Sequence, residues 1–315
     1  MHHFKRQFSV FFILLLLVIG KGFAADKVPI FVSIVPQKYF VQQIGKELVD
    51  VRVMVPPGAS PATYEPKPKQ MVDLSKTKVY FAIGVPFENA WLEKIAAANP
   101  NMRVVHTDHG IQKLAMAAHH HDDPAEEHRE ADHDREESEH HGEAEHDKDH
   151  HEQAGLDPHI WLSPPLVKIQ ARTILAALQE ADPVHRSVYE ANFKAFTAQI
   201  DQLDADLEKT FAGKTDLQFV AFHPAWGYFA HAYGLKQVPI EIEGKDPKPA
   251  QLKELIQHAR ENKIKVVFVQ PQFSTKSAEL VAREIGGRVA FADPLAEDWL
   301  ANLRQVADKF RAALK

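Results

Sequence analysis

Residues 183–211, PVHRSVYEANFKAFTAQIDQLDADLEKTF, predict one long helix around which the rest of the chain is arranged. Asp182 and Pro183 mark its start, because an acidic cap followed by a proline in the first turn is a common helix beginning. Apolar residues then recur at alternating spacings of four and three, the pattern of one buried helix face: Tyr189, Phe193, Phe196, Ile200, Leu203 and Leu207. This stripe covers about five turns, so we expect a rigid strut between the segments on either side.

Short apolar segments alternate with amphipathic ones both before and after that helix. This alternation is typical of βαβ units with a parallel sheet. The first half predicts strands at 28–35, 50–55, 79–83 and 103–106, with helices at 37–48, 68–75, 87–98 and 166–181. The second half predicts strands at 217–222, 237–241, 266–270 and 289–291, with helices within 223–233 and at 250–262, 274–285 and 295–313. The predicted fold is α/β: two lobes, each a roughly four-stranded, mainly parallel sheet flanked by helices, joined by one long helix.

The first 24 residues resemble an export signal. Lys5 and Arg6 precede an apolar run from Phe8 to Ile19, and Gly22 and Ala24 place small residues before a cleavage point after Ala24. The chain has no cysteine, which excludes disulfides, thiolate metal sites and a lipid-modified cysteine. We therefore expect a periplasmic protein with five parts: a signal peptide (1–24), an N-terminal lobe (25–118), an insertion (119–153), a turn with the long helix (154–211) and a C-terminal lobe (212–315).

The insertion is rich in histidine and acid. Between His119 and Glu152 the sequence holds ten of the chain's nineteen histidines, fifteen Asp or Glu and no large apolar residue. Such a composition predicts disorder, and imidazole with carboxylate predicts weak binding of several divalent metal ions. The alternative is a solvated acidic loop whose histidines have no role. The auxiliary metal-binding candidates are His119, His120, His121, His128, His133, His140, His141, His146, His150 and His151.

Three further metal-ligand candidates lie in turns beside prolines. His223 directly follows the strand at 217–222, and Asp293 follows the strand at 289–291. Ligands of open parallel sheets bind at the carboxyl ends of strands. His159 comes just after Pro158, at the first turn beyond the insertion. Two histidines and one carboxylate keep a non-haem iron or hydrolase site open, although no nucleophile or zinc-protease motif is present. A net charge of −6 gives no reason to expect nucleic-acid binding.

Four motifs resemble the metal-specific substrate-binding proteins of ABC transporters, in particular the zinc-uptake (ZnuA-like) branch. They are residues 57–66 (PGASPATYEP), 157–162 (DPHIWL), 222–229 (FHPAWGYF) and 293–295 (DPL). The resemblance implies a monomeric receptor, not an enzyme, that holds Zn²⁺ between its lobes for an inner-membrane permease and its ATPase. It implies His159, His223 and Asp293 as ligands. Related proteins have a histidine after Pro61, whereas this chain has Ala62, which cannot coordinate.

The missing ligand and the cognate metal leave alternatives open. Water or a histidine of the insertion completes the site, or the site is weaker or tuned to another metal. Zinc is favoured because manganese binders of this kind tend to carry glutamate where His223 stands, and because the insertion is histidine-rich. A receptor for manganese, iron or nickel is one alternative. A periplasmic zinc buffer or chaperone without a permease is the other.

Overall fold

The computed structural model describes residues 26–116, 155–214, 217–241 and 245–314. The proposed signal peptide and the histidines of the insertion lie outside these ranges. Within them, eight strands form two four-stranded sheets in which all neighbours are parallel. The predicted α/β fold with two sheets and a long helix is therefore confirmed. None of the helices in the described ranges is long and apolar enough to cross a membrane.

The first sheet has the strand order β2-β1-β3-β4. Its strands are β1 (Val28–Val32), β2 (Val49–Val53), β3 (Val79–Ala82) and β4 (Arg103–His106), and its helices are α1 (Val35–Gly45), α2 (Pro68–Leu74) and α3 (Pro86–Ala98). The predicted strand 28–35 ends earlier because Val35 and Pro36 already form the first turn of α1, where proline needs no hydrogen-bond partner for its nitrogen.

The second sheet repeats the arrangement, with the order β6-β5-β7-β8. Its strands are β5 (Gln218–Ala221), β6 (Lys236–Pro239), β7 (Val266–Val269) and β8 (Arg288–Phe291), and its helices are α6 (Gly227–Ala232), α7 (Pro249–Glu261), α8 (Lys276–Glu284) and α9 (Trp299–Ala313). The last helix was predicted from residue 295 but begins at Trp299. Asp298 caps it by accepting a hydrogen bond from the Ala301 amide, and residues 293–298 form an irregular segment before it.

Two helices, α4 (Pro164–Ala181) and α5 (Arg186–Phe211), connect the sheets. The apolar stripe of α5 is buried as predicted, except that Phe193 is only partly buried. The helix starts later than predicted because Pro183–His185 form a separate short 3₁₀ turn. The carboxylate of Asp182 accepts hydrogen bonds from the side chains of His185 and Tyr189, each across 2.7 Å. This helix packs against α4 and α1 on one side and α9 on the other.

One apolar core extends through both lobes, and a second, smaller core lies between the second sheet and helices α7 and α8. Where the lobes meet, the ring of Phe40 in α1 stands edge-on to Trp299 in α9, with centroids 5.2 Å apart. An ion pair between Lys38 and Glu297 spans the same boundary at 2.6 Å. A shared core of this kind favours small relative movements of the lobes over wide opening.

Phe310 of α9 is the centre of the aromatic cluster in the second lobe. Its ring centroid lies 4.4 Å from those of both Phe219 and Phe268 and 5.6 Å from that of Trp226. We predict that Phe310→Ala lowers the free energy of unfolding by about 3–5 kcal/mol, because it removes buried apolar surface and leaves a cavity. Urea unfolding checks this.

The matched control is Val184→Ala, since that side chain is 84% exposed and surface truncations usually change stability by less than about 0.5 kcal/mol. Equal effects of the two substitutions would contradict the assignment of Phe310 to the core.

Candidate metal centre

A small cavity lies where the carboxyl ends of strands from both sheets meet. The first lobe contributes Ala62 and Val85, which follow β2 and β3, and the second contributes His223 and Phe273, which follow β5 and β7. His159, from the turn before α4, completes this set. The cavity volume is about 60 Å³. That is room for a metal ion with a few water molecules, because each water needs about 10–15 Å³ of such space.

His159 and His223 face each other in this cavity. Their Nε2 atoms are 3.2 Å apart, and their ring centroids are separated by 5.0 Å. His159 is buried, with 7% of its surface exposed, and His223 is partly buried. The two histidines predicted from separate motifs are therefore brought together, although they are distant in sequence.

A buried carboxylate holds the other ring nitrogen of each histidine. Nδ1 of His159 lies 2.7 Å from Oδ1 of Asp157, which also accepts the His159 amide across 2.9 Å. Nδ1 of His223 lies 2.6 Å from Oε1 of Glu241. A carboxylate at Nδ1 favours the proton on that nitrogen, which leaves the Nε2 lone pair available for a metal. Two such lone pairs at 3.2 Å repel unless a proton or a metal ion lies between them.

The charge state of His159 also suits metal binding. Burial lowers the pKa of this imidazole from its usual value near 6.5, and this effect outweighs the nearby Asp157 carboxylate, which raises it. The imidazole is therefore neutral at neutral pH. Only the neutral form coordinates a metal ion.

His223 is also fixed through its backbone and its ring face. Its amide donates to Oε1 of Gln270 across 3.3 Å, and its carbonyl accepts from Nε2 of the same side chain across 2.8 Å. The ring of Phe273 stacks on the imidazole, with centroids 5.0 Å apart and planes 25° apart. These contacts leave His223 little freedom to turn away from His159.

Asp293 lies beside the cavity without joining the two histidines. Its Oδ1 accepts hydrogen bonds from Nε2 of Gln272 at 3.1 Å and from the Leu295 amide at 2.9 Å. Gln272 and Leu295 both line the cavity. Among the described residues, no three His, Asp or Glu are grouped closely enough to hold a metal ion. Asp293 therefore stays a predicted ligand.

Two tryptophans connect the His159 turn to the segment that carries Asp293. The indole Nε1 of Trp161 donates to the Pro294 carbonyl across 2.7 Å, and Nε1 of Trp299 donates to the Trp161 carbonyl across 2.6 Å. Both indoles are buried. The Trp161 ring lies 5.1 Å from the ring of His159. The turn and the segment are thus held at a fixed separation.

The two ends of the insertion meet next to the same cavity. The Met116 amide donates to the Gly155 carbonyl across 3.0 Å, and the Asp157 amide donates to the Leu114 carbonyl across 2.8 Å. The hydroxyl of Tyr228 joins both sides, because it accepts from the Leu114 amide and donates to the Asp157 carbonyl. Met116 lines the cavity. The insertion is therefore tethered at the metal centre.

Sequence reasoning missed two of the residues that set this geometry. Glu241 and Gln270 were predicted only as the last residues of strands. The rule that singled out His223 and Asp293, that ligand-binding groups follow the carboxyl ends of parallel strands, applies equally to them. Asp157 was quoted as part of a motif, but nothing in its position indicated that its carboxylate would hold the imidazole two residues later.

Gly227 is required by its contact with Asp157. A Cβ atom at this position would lie 2.7 Å from Oδ2 of Asp157, which is closer than van der Waals contact. We predict that Gly227→Ala displaces the carboxylate that orients His159 and weakens Zn²⁺ affinity by about 10–100-fold, the usual cost of disturbing a residue behind a metal ligand. Calorimetric titration with Zn²⁺ measures this.

The matched control is Gly155→Ala. It lies in the neighbouring segment, and a Cβ there would meet no atom of the described residues within 4 Å. Wild-type affinity in Gly227→Ala would show that the Asp157 contact does not position His159.

Comparison with known proteins places these residues in a family. The sequence matches the family described as zinc-uptake complex component A, periplasmic (ZnuA), over residues 30–313. The high-affinity zinc uptake system protein ZnuA of Bacillus subtilis is 30% identical over 275 residues, covering 86% of this chain and 79% of that protein.

Two solved structures agree with this assignment. A crystal structure of ZnuA is 43% identical, with a TM-score of 0.79 over 92% of this chain and 100% of that one. A ZnuA deletion mutant with zinc bound is also 43% identical, with a TM-score of 0.78 over 92% and 99% of the two chains. The resemblance noted from the four motifs is confirmed: the chain belongs to the ZnuA family, whose members are metal-binding receptors and not enzymes.

Proposed function

We propose that this protein is a periplasmic receptor that binds Zn²⁺ between His159 and His223 and delivers it to an inner-membrane ABC permease. The observation that supports this most strongly is the 3.2 Å separation of the two Nε2 atoms. Zn–N bonds of 2.0–2.1 Å at a tetrahedral angle place two ligand nitrogens about 3.3 Å apart. The two rings therefore have nearly the spacing that a shared zinc ion requires.

Asp293 is the third ligand in this proposal. Its Oδ1 is occupied by two hydrogen bonds, from Gln272 and Leu295. These hold the carboxylate in one orientation and leave Oδ2 as the oxygen for zinc. Hydrogen bonds to the non-coordinating oxygen are common at zinc carboxylates, because they fix the direction of the ligand.

The fourth position adjoins Ala62, which lines the cavity but has no donor atom. Water completes a tetrahedral site with three protein ligands. The alternative fourth ligand is a histidine of the insertion, which is attached to the chain beside the cavity. The proposed auxiliary role of those ten histidines is to hold further metal ions weakly near the site, which raises the local supply.

Zinc fits the ligand set better than manganese. Two imidazole nitrogens favour zinc and other late divalent metals, whereas manganese prefers carboxylate and other oxygen donors. The names of the relatives support the same choice, since one is a high-affinity zinc uptake protein and another was solved with zinc bound. The description of the family as a zinc-uptake complex component supports delivery to a transporter, and the predicted signal at residues 1–24 supports a periplasmic location.

We predict that His159→Ala and His223→Ala each weaken the tight binding of one Zn²⁺ by more than about 100-fold, since losing a ligand costs more than losing a residue behind it. Weaker binding of further ions by the insertion should persist in both. Calorimetric titration of the full chain separates the two phases. The control is His231→Ala, because this histidine is exposed on α6. Full tight affinity in either cavity variant would contradict the ligand assignment.

Growth under zinc limitation tests delivery in the same variants. In a bacterium that lacks its own zinc receptor, wild type and His231→Ala should restore growth, and the two cavity variants should not. A wild-type protein that binds zinc tightly but restores no growth would favour a buffer that works without a permease.

A further inference from the structure

Gln272 has one partner at the metal centre and one polar atom without a partner. Its side chain lines the cavity together with Ala62, His159 and His223. The amide Nε2 donates to Oδ1 of Asp293 across 3.1 Å. The amide Oε1 is buried and has no hydrogen-bond partner within the described ranges. Buried acceptors are nearly always hydrogen-bonded in folded proteins, so we expect a hydrogen-bond donor to reach this oxygen in the functional state.

A zinc-bound water would supply that donor. Zinc polarises its water strongly, so the water protons are good hydrogen-bond donors. Ala62 contributes no ligand, which makes water the simplest fourth ligand at the wall of the cavity that Gln272 also lines. Because Nε2 is directed at Asp293, Oε1 is the end of the amide whose hydrogen-bonding capacity is not yet used within the described ranges.

We propose that Gln272 is a positioning residue that holds two of the four zinc ligands at once. Its Nε2 orients the Asp293 carboxylate, and its Oε1 accepts a hydrogen bond from the water that replaces the histidine of related proteins. The inference rests on the proposed function, since it requires zinc at His159 and His223. It explains how a chain with Ala62 keeps an ordered four-coordinate site.

Two substitutions distinguish the proposed hydrogen-bonding role of the Gln272 amide from a role in packing alone. Replacing Gln272 with leucine preserves much of the side-chain volume and removes both polar atoms. Replacing Ala62 with histidine supplies a protein ligand in place of the water, so Oε1 then has no water to hold. The two substitutions should therefore depend on each other, and a double-mutant cycle measures that dependence.

The experiment titrates the full chain with Zn²⁺ in four forms: wild type, Gln272→Leu, Ala62→His and the double variant. We expect Gln272→Leu to weaken tight zinc binding by about 10–100-fold in the Ala62 protein. Ala62→His should tighten binding, and Gln272→Leu should then cost at least about fivefold less, because only the Asp293 contact is still lost. Visible absorption of the Co²⁺-loaded proteins reports the change of ligand set independently.

The matched control is Gln257→Leu. That amide also donates to a carboxylate, Glu261, across 2.9 Å, but it is exposed on α7. Its zinc affinity should equal that of the wild type, and the melting temperature of each metal-free variant shows whether it has folded.

The outcomes separate the two proposals. If His159→Ala and His223→Ala retain tight binding, the proposed function itself fails. If those variants lose tight binding while a folded Gln272→Leu binds as wild type does, only the role of Gln272 is overturned. An equal loss in both Ala62 backgrounds, or no gain from Ala62→His, overturns the water contact.

Discussion

The candidate site depends on one geometric constraint: the Nε2 atoms of His159 and His223 face each other across 3.2 Å. Each ring is held in place by a buried carboxylate on its far side, Asp157 for His159 and Glu241 for His223. Two unprotonated Nε2 atoms repel at this distance, so the arrangement is favourable only with a proton or a metal ion between them. The fold therefore holds the two imidazoles at nearly the spacing that a shared zinc ion would require. Pre-organisation of this kind lowers the entropic cost of binding.

The rest of the fold holds that geometry. Parallel strands of two separate sheets end at the same cavity, which is where open α/β folds bind ligands. A core shared by both lobes and the contact between Phe40 and Trp299 fix the position of one sheet relative to the other. The bonds from Trp161 and Trp299 then fix the His159 turn relative to the Asp293 segment.

Much of the architecture was accessible from sequence because it follows from periodicity. The alternation of short apolar and amphipathic segments predicted both sheets, and the stripe from Tyr189 to Leu207 predicted the long helix. Helix ends were less accurate, as at Trp299, because capping by Asp298 depends on a local turn that apolar periodicity does not reveal. For the site, His223 was singled out because it follows a predicted strand, and His159 because it follows Pro158 at the first turn beyond the insertion.

Their partners were harder to foresee, because pairing across the fold leaves no local pattern. Glu241 lies eighteen residues from His223 in sequence and meets it only when β5 and β6 are aligned in parallel. Gln272 stands out through its bond to Asp293 and a buried oxygen that has no partner among the described residues, and no sequence pattern records either. The carboxylate of Asp293 was predicted as a ligand, and the structure shows instead how it is held, through Gln272 and the Leu295 amide.

The most direct test of this account is zinc K-edge X-ray absorption on the full chain loaded with one equivalent of Zn²⁺. Imidazole rings give characteristic multiple-scattering features, so the number of histidine ligands can be counted. The account predicts four ligands at about 2.0–2.1 Å, two of them imidazoles and two of them oxygens. A spectrum fitted by one imidazole or none in the wild type would contradict the claim that His159 and His223 share one zinc ion.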